Sequence, residues 1–407
     1  MRTNDHDLPI LIIGAGIGGL TTALALQRAG FAVRVFERVK QLREVGAGLT
    51  LWANAVRVLR ELGLADLVQE QAMPETTAAG FYTAQGKPLA LLSPQAIKDH
   101  FGEPTVAVHR AEFLTALRDQ VLPGTICLEK QLVDFEQDEA GVRACFADGE
   151  QVHGRLMIGA DGIHSCVRQR IFPQSQPRYA GYTAWRGIAT GVHPSLTGEL
   201  WGCGMRFGIV PLTKGRVYWF ATRNTPEHEV ENLQERQKDL LELFQGWHTA
   251  VTALIEATEG STILRNAIFD LQPLSSWSKG YVTLLGDAAH AMTPNMGQGA
   301  CQALEDAWVL ASALRHIPSR VEALRFYQQK RLSHANMVVT YSRQIGAVAQ
   351  WEHPLACWLR DHVLRLTPSR LLIKQMEPVV GHTLDLPDGS PSSMAATSED
   401  VQDFNGE

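Results

Sequence analysis

Gly14, Gly16 and Gly19 lie in the stretch PILIIGAGIGGLTTALALQRAG, between a short apolar run and a segment of helical spacing. This G-x-G-x-x-G pattern constrains the fold more than any other feature of the chain. Ile10 to Ile13 has the texture of a parallel strand buried on both faces. Ile17 to Ala29 puts Leu20, Leu24 and Ala25 on one helical face, with Gly30 as the stop. FAVRVFER then forms a second strand ending near Glu37, which completes a βαβ unit. In such a unit the first glycine permits a tight turn, the second lets backbone approach a pyrophosphate, and the third lets helix and strand pack closely. The anion rests on the helix N-terminus. Glu37, 23 positions after Gly14, is placed to accept the ribose hydroxyls of an adenosine. It would repel a 2′-phosphate, so the cradle suits FAD or NAD rather than NADP. Arg38 stands at the same end and is counted among the candidate cofactor-binding residues, although its simplest reading is a solvated charge.

A chain of 407 residues is too long for one small core, so two or three domains are expected. Apolar residues make up 45% and charged residues 20%, a soluble globular composition. The net charge of -6 matches the six acids after Val380, where no Lys or Arg occurs; the remainder is neutral overall. Bulk nucleic-acid binding is not expected. Six scattered cysteines without a CxxC or Cys/His cluster predict reduced thiols, no metal site and a cytoplasmic protein. The N-terminal region carries Asp5 and Asp7 and its apolar run is broken by glycines, so it is not read as a signal peptide. No run of about 18 apolar residues predicts a spanning helix.

Two further turns pair an acid with the end of a buried strand. LMIGADGIHSCVRQRI sets Asp161–Gly162 after a strand at Leu156–Ile158 and before a helix. An Asp-Gly turn with Ser165 as N-cap explains it equally well. TLLGDAAHAMTPNMGQGACQALEDAW repeats the arrangement at Asp287. Asp287 can accept from polyol hydroxyls, while the loop Pro294–Gly299 brings backbone N–H groups to the start of a helix at Cys301–Leu314. That helix start favours the negative charge a reduced flavin carries, and the glycines let backbone lie close to a flat ring. His290 is assigned to the turn rather than to acid–base chemistry.

These three motifs, in this order, resemble the class A FAD-dependent aromatic hydroxylases, single-component flavoprotein monooxygenases. The matching pieces are GAGIGGL with Glu37, GADG at 159–162 and GDAAHAMTPNMGQGACQALEDA at 286–307. RYAGYTAWRGI at 178–188 is most similar to the branch holding urate hydroxylases, salicylate hydroxylases and zeaxanthin epoxidases. The resemblance implies FAD at Gly14, Gly16, Gly19, Glu37, Arg110, Asp287 and the loop Gly297, Gln298, Gly299 and Ala300, with Asp161 in a motif serving the pyrophosphate and NAD(P)H. It implies that NADH or NADPH reduces the FAD and that O2 is activated as a C4a-hydroperoxyflavin, which hydroxylates or epoxidises an aromatic, heteroaromatic or alkene substrate. Urate hydroxylases carry an acid where this chain has Asn295–Met296, which puts urate in doubt and suits an uncharged or weakly acidic substrate. A halogenase or FAD-linked reductase on the same fold, or a ligand-sequestering flavoprotein, are the alternatives; the W-x-W-x-I-P stretch of halogenases is absent.

The expected fold is α/β. A discontinuous Rossmann-like FAD domain spans 1–72, 105–178 and 277–325, and a β-rich substrate domain spans 73–104 and 179–276. C-terminal helices cover 326–380, and an acidic, disordered tail covers 381–407. Within the β-rich segment, YTAWRGIAT, GMRFGIVPL and GRVYWFATR read as strands, the last two joined by the turn LTKG. By the resemblance, these strands roof the flavin. Arg206 and Tyr218 are the expected catalytic side chains, and Trp185, Arg186, Pro294 and Asn295 the expected substrate contacts. The late stretch VAQWEHPLACWLRDHVLRL could touch a membrane surface or a partner, but it is expected rather to pack over the FAD domain, since the internal Pro354 argues against one long interfacial helix. A monomer or homodimer is expected.

Overall fold

The computed structural model describes residues 8–42, 47–71, 79–384 and 386–387. Its first sheet has the order β17 (Ser278–Lys279), β18 (Val282–Leu284), β11 (Leu156–Gly159), β1 (Ile10–Ile13), β2 (Val33–Phe36) and β7 (Ile126–Cys127). All pairings are parallel except the edge hairpin of β17 with β18. Every residue of β1 and β11 is buried, which is why both strands are apolar throughout. The chain leaves β1 toward β2 on one side and returns at β11 on the other. Ligands of doubly wound sheets sit at such a switch point, beyond the carboxyl ends of the strands.

Helix α1 (Ile17–Arg28) packs against α10 (Gly299–His316), which also contacts α2 (Ala53–Glu61). A three-stranded antiparallel sheet, β8 (Leu132–Asp138), β9 (Gly141–Phe146) and β10 (Gln151–Gly154), adds Phe146 against Phe36 at 4.6 Å between ring centres. The helices α3 (Ala65–Gln71), α5 (Arg110–Gln120), α6 (Cys166–Ile171) and the single turn α9 (Asp287–His290) complete this half.

The second sheet has seven strands in the order β16 (Leu264–Asp270), β12 (Arg178–Thr190), β15 (Arg216–Asn224), β14 (Met205–Leu212), β13 (Thr197–Trp201), β4 (Ala79–Thr83) and β5 (Pro88–Leu92). One face is covered by α7 (Arg236–Leu243) and α8 (Thr249–Glu256), with Trp185, Phe207, Trp219, Phe244 and Leu254 in one cluster. The turn 213–215 between β14 and β15 sits where LTKG predicts it, with Lys214 and Gly215 both at positive φ. A two-stranded ribbon, β3 (Gly48–Leu51) with β6 (Val106–His109), lies between the halves, and β6 contacts β14. The short helix α4 (Pro94–Phe101) follows β5, capped by Ser93.

The structure bears on four sequence expectations about the C-terminal third. The boundary at 325/326 falls inside α11 (Arg320–Ala349), one continuous helix. Helix α11 ends at Ala349 and Pro354 is the first residue of a separate helix, α12 (Pro354–Leu366), so no single helix runs through this stretch, as expected; proline is tolerated there because that N–H needs no intrahelical partner. The Trp- and Leu-rich side of α12 is not packed over the FAD domain: Leu355 is 71% exposed and Leu366 81%. After α13 (Ser369–Gln375) and α14 (Glu377–Val380) the chain does not leave the protein at once, since Leu384 and Leu386 pack on the main core. The acidic tail beyond Pro387 lies outside the described residues.

Candidate active site

The carboxyl ends of β1, β2, β11 and β18 bring the three motifs to one edge of the first sheet. Gly14 has φ +106°, and a Cβ there would lie 2.4 Å from the Ala160 carbonyl oxygen. A Cβ at Gly19 would lie 1.9 Å from the Gly14 oxygen. A Cβ at Gly16 would meet nothing within 4 Å. Two glycines are thus demanded by the protein's own packing, whereas the third keeps open a space that no protein atom fills. The two oxygens of the Glu37 carboxylate accept from the N–H of Ala15 at 2.8 Å and of Val39 at 3.2 Å. Each retains a lone pair for a hydroxyl donor. Arg38 is exposed, as a solvated charge would be.

Asp161 is turned the other way. It accepts from Ser165 Oγ at 2.5 Å and from the N–H groups of Cys166 and Val167, while Ser165 caps α6. Crowding by protein pushes the Asp161 pKa up, against those bonds. Its side chain is therefore committed to the helix start, and only its backbone and Gly162 remain for a ligand. Arg168, absent from the sequence reading, is fully buried and donates to the carbonyls of Ile163 and Ala288. It fastens the Asp161 turn to the Asp287 turn. An arginine in a short helix gives no sequence signal of that role.

Asp287 forms no hydrogen bond or ion pair among the described residues, and neither does the Arg110 guanidinium. Both residues are exposed by surface area, but Asp287 is ringed by protein within a cleft. That desolvation raises its pKa, opposed by the charges of His290 and Arg110. The loop between α9 and α10 passes through a 3-10 turn at Pro294–Met296 and then Gly297 at φ +61°. A Cβ at Gly299 would approach Asp287 Oδ1 at 3.8 Å, so the acid lies beside the start of α10. Trp52 Nε1, buried and without a partner, would meet a Cβ at Gly297 at 3.1 Å. An open glycine cradle, an unpaired acid, an unpaired cation and an orphaned indole donor all border this cleft. They fit a ligand with an anionic bridge, hydroxyls and a polar ring edge, which describes FAD.

Behind the loop lies a buried charge cluster that sequence reading missed. Asp306 accepts from Arg331 Nε at 2.8 Å, contacts His290 Nε2 at 2.5 Å and accepts the Gly286 N–H at 3.0 Å. Arg331 also reaches Glu305, and Asn54 bridges Glu305 and Gln298. Burial alone would push Asp306 up, but His290 and Arg331 outweigh it and hold its pKa at about 2. His290 is thus a buried partner of Asp306 and not an acid–base group of the cleft. Gln298, 1% exposed, faces this cluster through its oxygen.

On the second sheet, period-two alternation separates residues that the sequence reading grouped together. Tyr182 and Arg186 share one face with Arg206, Tyr218 and Phe220 through the pairings Arg186↔Phe220 and Arg206↔Thr222. Trp185 points to the opposite face, into the cluster under α7 and α8, with its indole N–H on Glu231 at 2.8 Å. It cannot be a substrate contact from there. Trp219 shares that fate, bonded to Thr258. Tyr218 packs on Gly48 and lies beside Arg186; burial raises its pKa and Arg186 opposes the rise. Arg186 donates to Asn266 at 3.0 Å.

Arg206 is only 2% exposed. It donates to Asn295 Oδ1 at 2.6 Å and Gln350 Oε1 at 2.8 Å. Asn295 Oδ1 also accepts from Tyr182 at 3.2 Å, while its amide donates to Thr293 Oγ1 and the Ser342 carbonyl. Its neighbour Pro294 is exposed. Tyr182, four residues before Arg186 and on the same strand face, is the partner a period-two count would have found. A cavity of about 500 Å³, lined in part by Tyr182, Thr293, Asn295, Arg343 and Gln350, adjoins the network.

Residues 7–342 match the family model described as FAD binding domain. The chain belongs to the FAD-dependent aromatic hydroxylases. Among these hydroxylases it is 41% identical over 365 residues to the aurachin C monooxygenase/isomerase of Stigmatella aurantiaca, covering 89% of this chain and 95% of the relative. It is 33% identical over 375 residues to the 2-heptyl-3-hydroxy-4(1H)-quinolone synthase of Pseudomonas aeruginosa, with the same coverages. The crystal structure of Klebsiella pneumoniae HpxO complexed with FAD and uric acid superposes with a TM-score of 0.86 at 30% identity, covering 92% of this chain and 97% of that one. The protein is a flavoprotein monooxygenase that takes electrons from NAD(P)H. Among the described residues no helix is long and apolar enough to cross a membrane, and no His/Cys/Asp/Glu group could hold a metal.

Proposed function

We propose that this hydroxylase oxygenates a neutral bicyclic heteroaromatic of the quinolone type, at an electron-rich ring carbon next to an oxygen-bearing one. The observation that carries this reading is Asn295. Its oxygen accepts from Arg206 and Tyr182, and its amide is spent on Thr293 and Ser342. The loop in front of α10 therefore offers no anion to a substrate, and the Arg206 guanidinium is already engaged by Asn295, Gln350 and, at 3.5 Å, the Glu199 carboxylate. The relatives named for aurachin C and for a heptyl hydroxyquinolone support the substrate class.

FAD would be held by the glycine cradle with Glu37 at its adenosine end. Arg110 and Asp287 would flank the middle of the cofactor, and Gly297, Gln298, Gly299 and Ala300 the flavin ring; bound there, it supplies the activation of dioxygen. The protein's own part is to bind, aim and exclude water. Tyr218 and Arg186 form the polar pair of the roof. They can hold a ring oxygen, and an arginine there stabilises its anionic resonance form, which makes the adjacent carbon more nucleophilic. Arg206 acts one step back, as a positioning residue that fixes Asn295. Purified protein supplied with NADH or NADPH should oxidise it faster with 4-quinolones than with urate or salicylate, and the product should gain one oxygen. Equal stimulation by urate would contradict the reading.

A further inference from the structure

The surface of α12 carries an apolar stripe that no described residue covers. Leu355, Trp358, Leu359, Val363 and Leu366 are all more than half exposed. At 3.6 residues per turn they fall within an arc of roughly 140°. Scattered exposed apolar residues need no explanation, but five on one helix face do. The helix does not owe this exposure to looseness. Its opposite side is anchored by buried Arg360, which donates to the carbonyls of Ala349 and Gly202 and lies over the Trp201 ring, and by buried Cys357. The strand β5 backs both α12 and α13.

Charge at the rim selects the partner. Between Pro354 and Met376 the chain has four cations, Arg360, Arg365, Arg370 and Lys374, and one acid, Asp361. Asp361 is already paired with Arg360 at 2.9 Å. Arg365, Arg370 and Lys374 are exposed and make no hydrogen bond or ion pair among the described residues. Arg365 follows Trp358 at the edge of the stripe. A protein with a net charge of -6 thus concentrates unpaired positive charge around this apolar stripe.

We propose that α12, with the basic start of α13, docks the protein on an anionic lipid bilayer surface. The stripe enters the headgroup–acyl boundary, and Arg365, Arg370 and Lys374 meet lipid phosphates. A second copy of the chain fits less well. A two-fold contact through α12 would bring like charges together with no free acid on either helix to pair them. The inference does not depend on which ring the active site oxidises.

The test is co-sedimentation of the purified holoenzyme with vesicles. One set contains phosphatidylglycerol and phosphatidylethanolamine, the other only phosphatidylcholine. Wild type should bind the anionic vesicles, and about 0.5 M salt should weaken that binding. Leu355→Glu with Leu366→Glu should lower the bound fraction about tenfold. Arg365→Glu with Arg370→Glu should abolish the preference for anionic lipid. All four positions are exposed, so folding and NAD(P)H oxidation should persist in both variants. Absence of wild-type binding to anionic vesicles, or binding unchanged in the Leu355/Leu366 variant, overturns the proposal. A wild-type dimer by light scattering that the same variant converts to monomer, with no vesicle binding, would assign the stripe to a second copy and also overturn it.

Discussion

Arg206 Nη2 donates to Asn295 Oδ1 at 2.6 Å, tying the central strand of the seven-stranded sheet to the loop that opens α10. One bond therefore couples the substrate-domain roof to the flavin-side loop, and its partners Tyr182 and Gln350 complete the tie. Arg206→Met would leave Asn295 with a single donor and Gln350 with one fewer. We expect FAD affinity within about twofold of wild type, a raised KM and more hydrogen peroxide per NAD(P)H consumed, since a loosened roof admits water. Coupling measured as product per reduced nicotinamide checks this, and wild-type coupling would refute it.

Asp287 has no partner of its own, so its carboxylate is available to cofactor hydroxyls. A charge-assisted bond of this kind is worth roughly 1.5–3 kcal/mol, so Asp287→Ala should weaken FAD binding about 10- to 150-fold. Flavin fluorescence titration of the apoprotein measures it. Unchanged affinity in a folded variant would make the aspartate a turn residue only.

Trp185 and Tyr218 occupy adjacent strands but opposite faces of one sheet. Trp185→Phe should lower stability by about 1–2 kcal/mol, through the lost bond to Glu231, with substrate KM unchanged. Tyr218→Phe should do the reverse, raising KM with little change in stability. A KM effect at Trp185 in the absence of unfolding would overturn the facing assignment.

The sequence reading succeeded where local pattern carries the physics. Buried strands, the glycine turn and the helix after Gly297 follow from apolar runs and from backbone that tolerates no side chain. Aromatic content alone groups Trp185 with Arg186; period-two alternation separates them and adds Tyr182. Asp161 could not be resolved, because capping α6 and facing a ligand require the same residue at the same place. Arg168, Asn54 and the Asp306–Arg331 cluster join segments far apart in the chain, and no spacing rule reports such contacts. The face of α12 was misjudged because amphipathic spacing shows that a stripe exists but not what covers it.

The Asp306 cluster makes a pH-dependent prediction. With its pKa held at about 2, below the ordinary carboxylate value near 3.8, Asp306 stabilises the fold fully above about pH 4 and loses that contribution as pH falls toward 2. Asp306→Asn leaves Arg331 and His290 short of a buried partner and should cost about 3–5 kcal/mol at neutral pH. The deficit relative to wild type should shrink as pH is lowered below 4. Denaturant unfolding across that range checks it; a constant deficit would mean that Asp306 is not ionised in the fold.

Gly16 gives the most direct test of the FAD cradle. Its φ is -75°, a conformation open to any residue, and an added Cβ meets no protein atom within 4 Å. Gly16→Val should therefore fold and unfold like the wild-type apoprotein while its side chain occupies the space reserved for the pyrophosphate. The decisive measurement pairs apoprotein melting with FAD titration of this variant. We predict an unchanged melting temperature and loss of FAD binding by at least about a hundredfold. Wild-type FAD affinity in Gly16→Val would contradict the account.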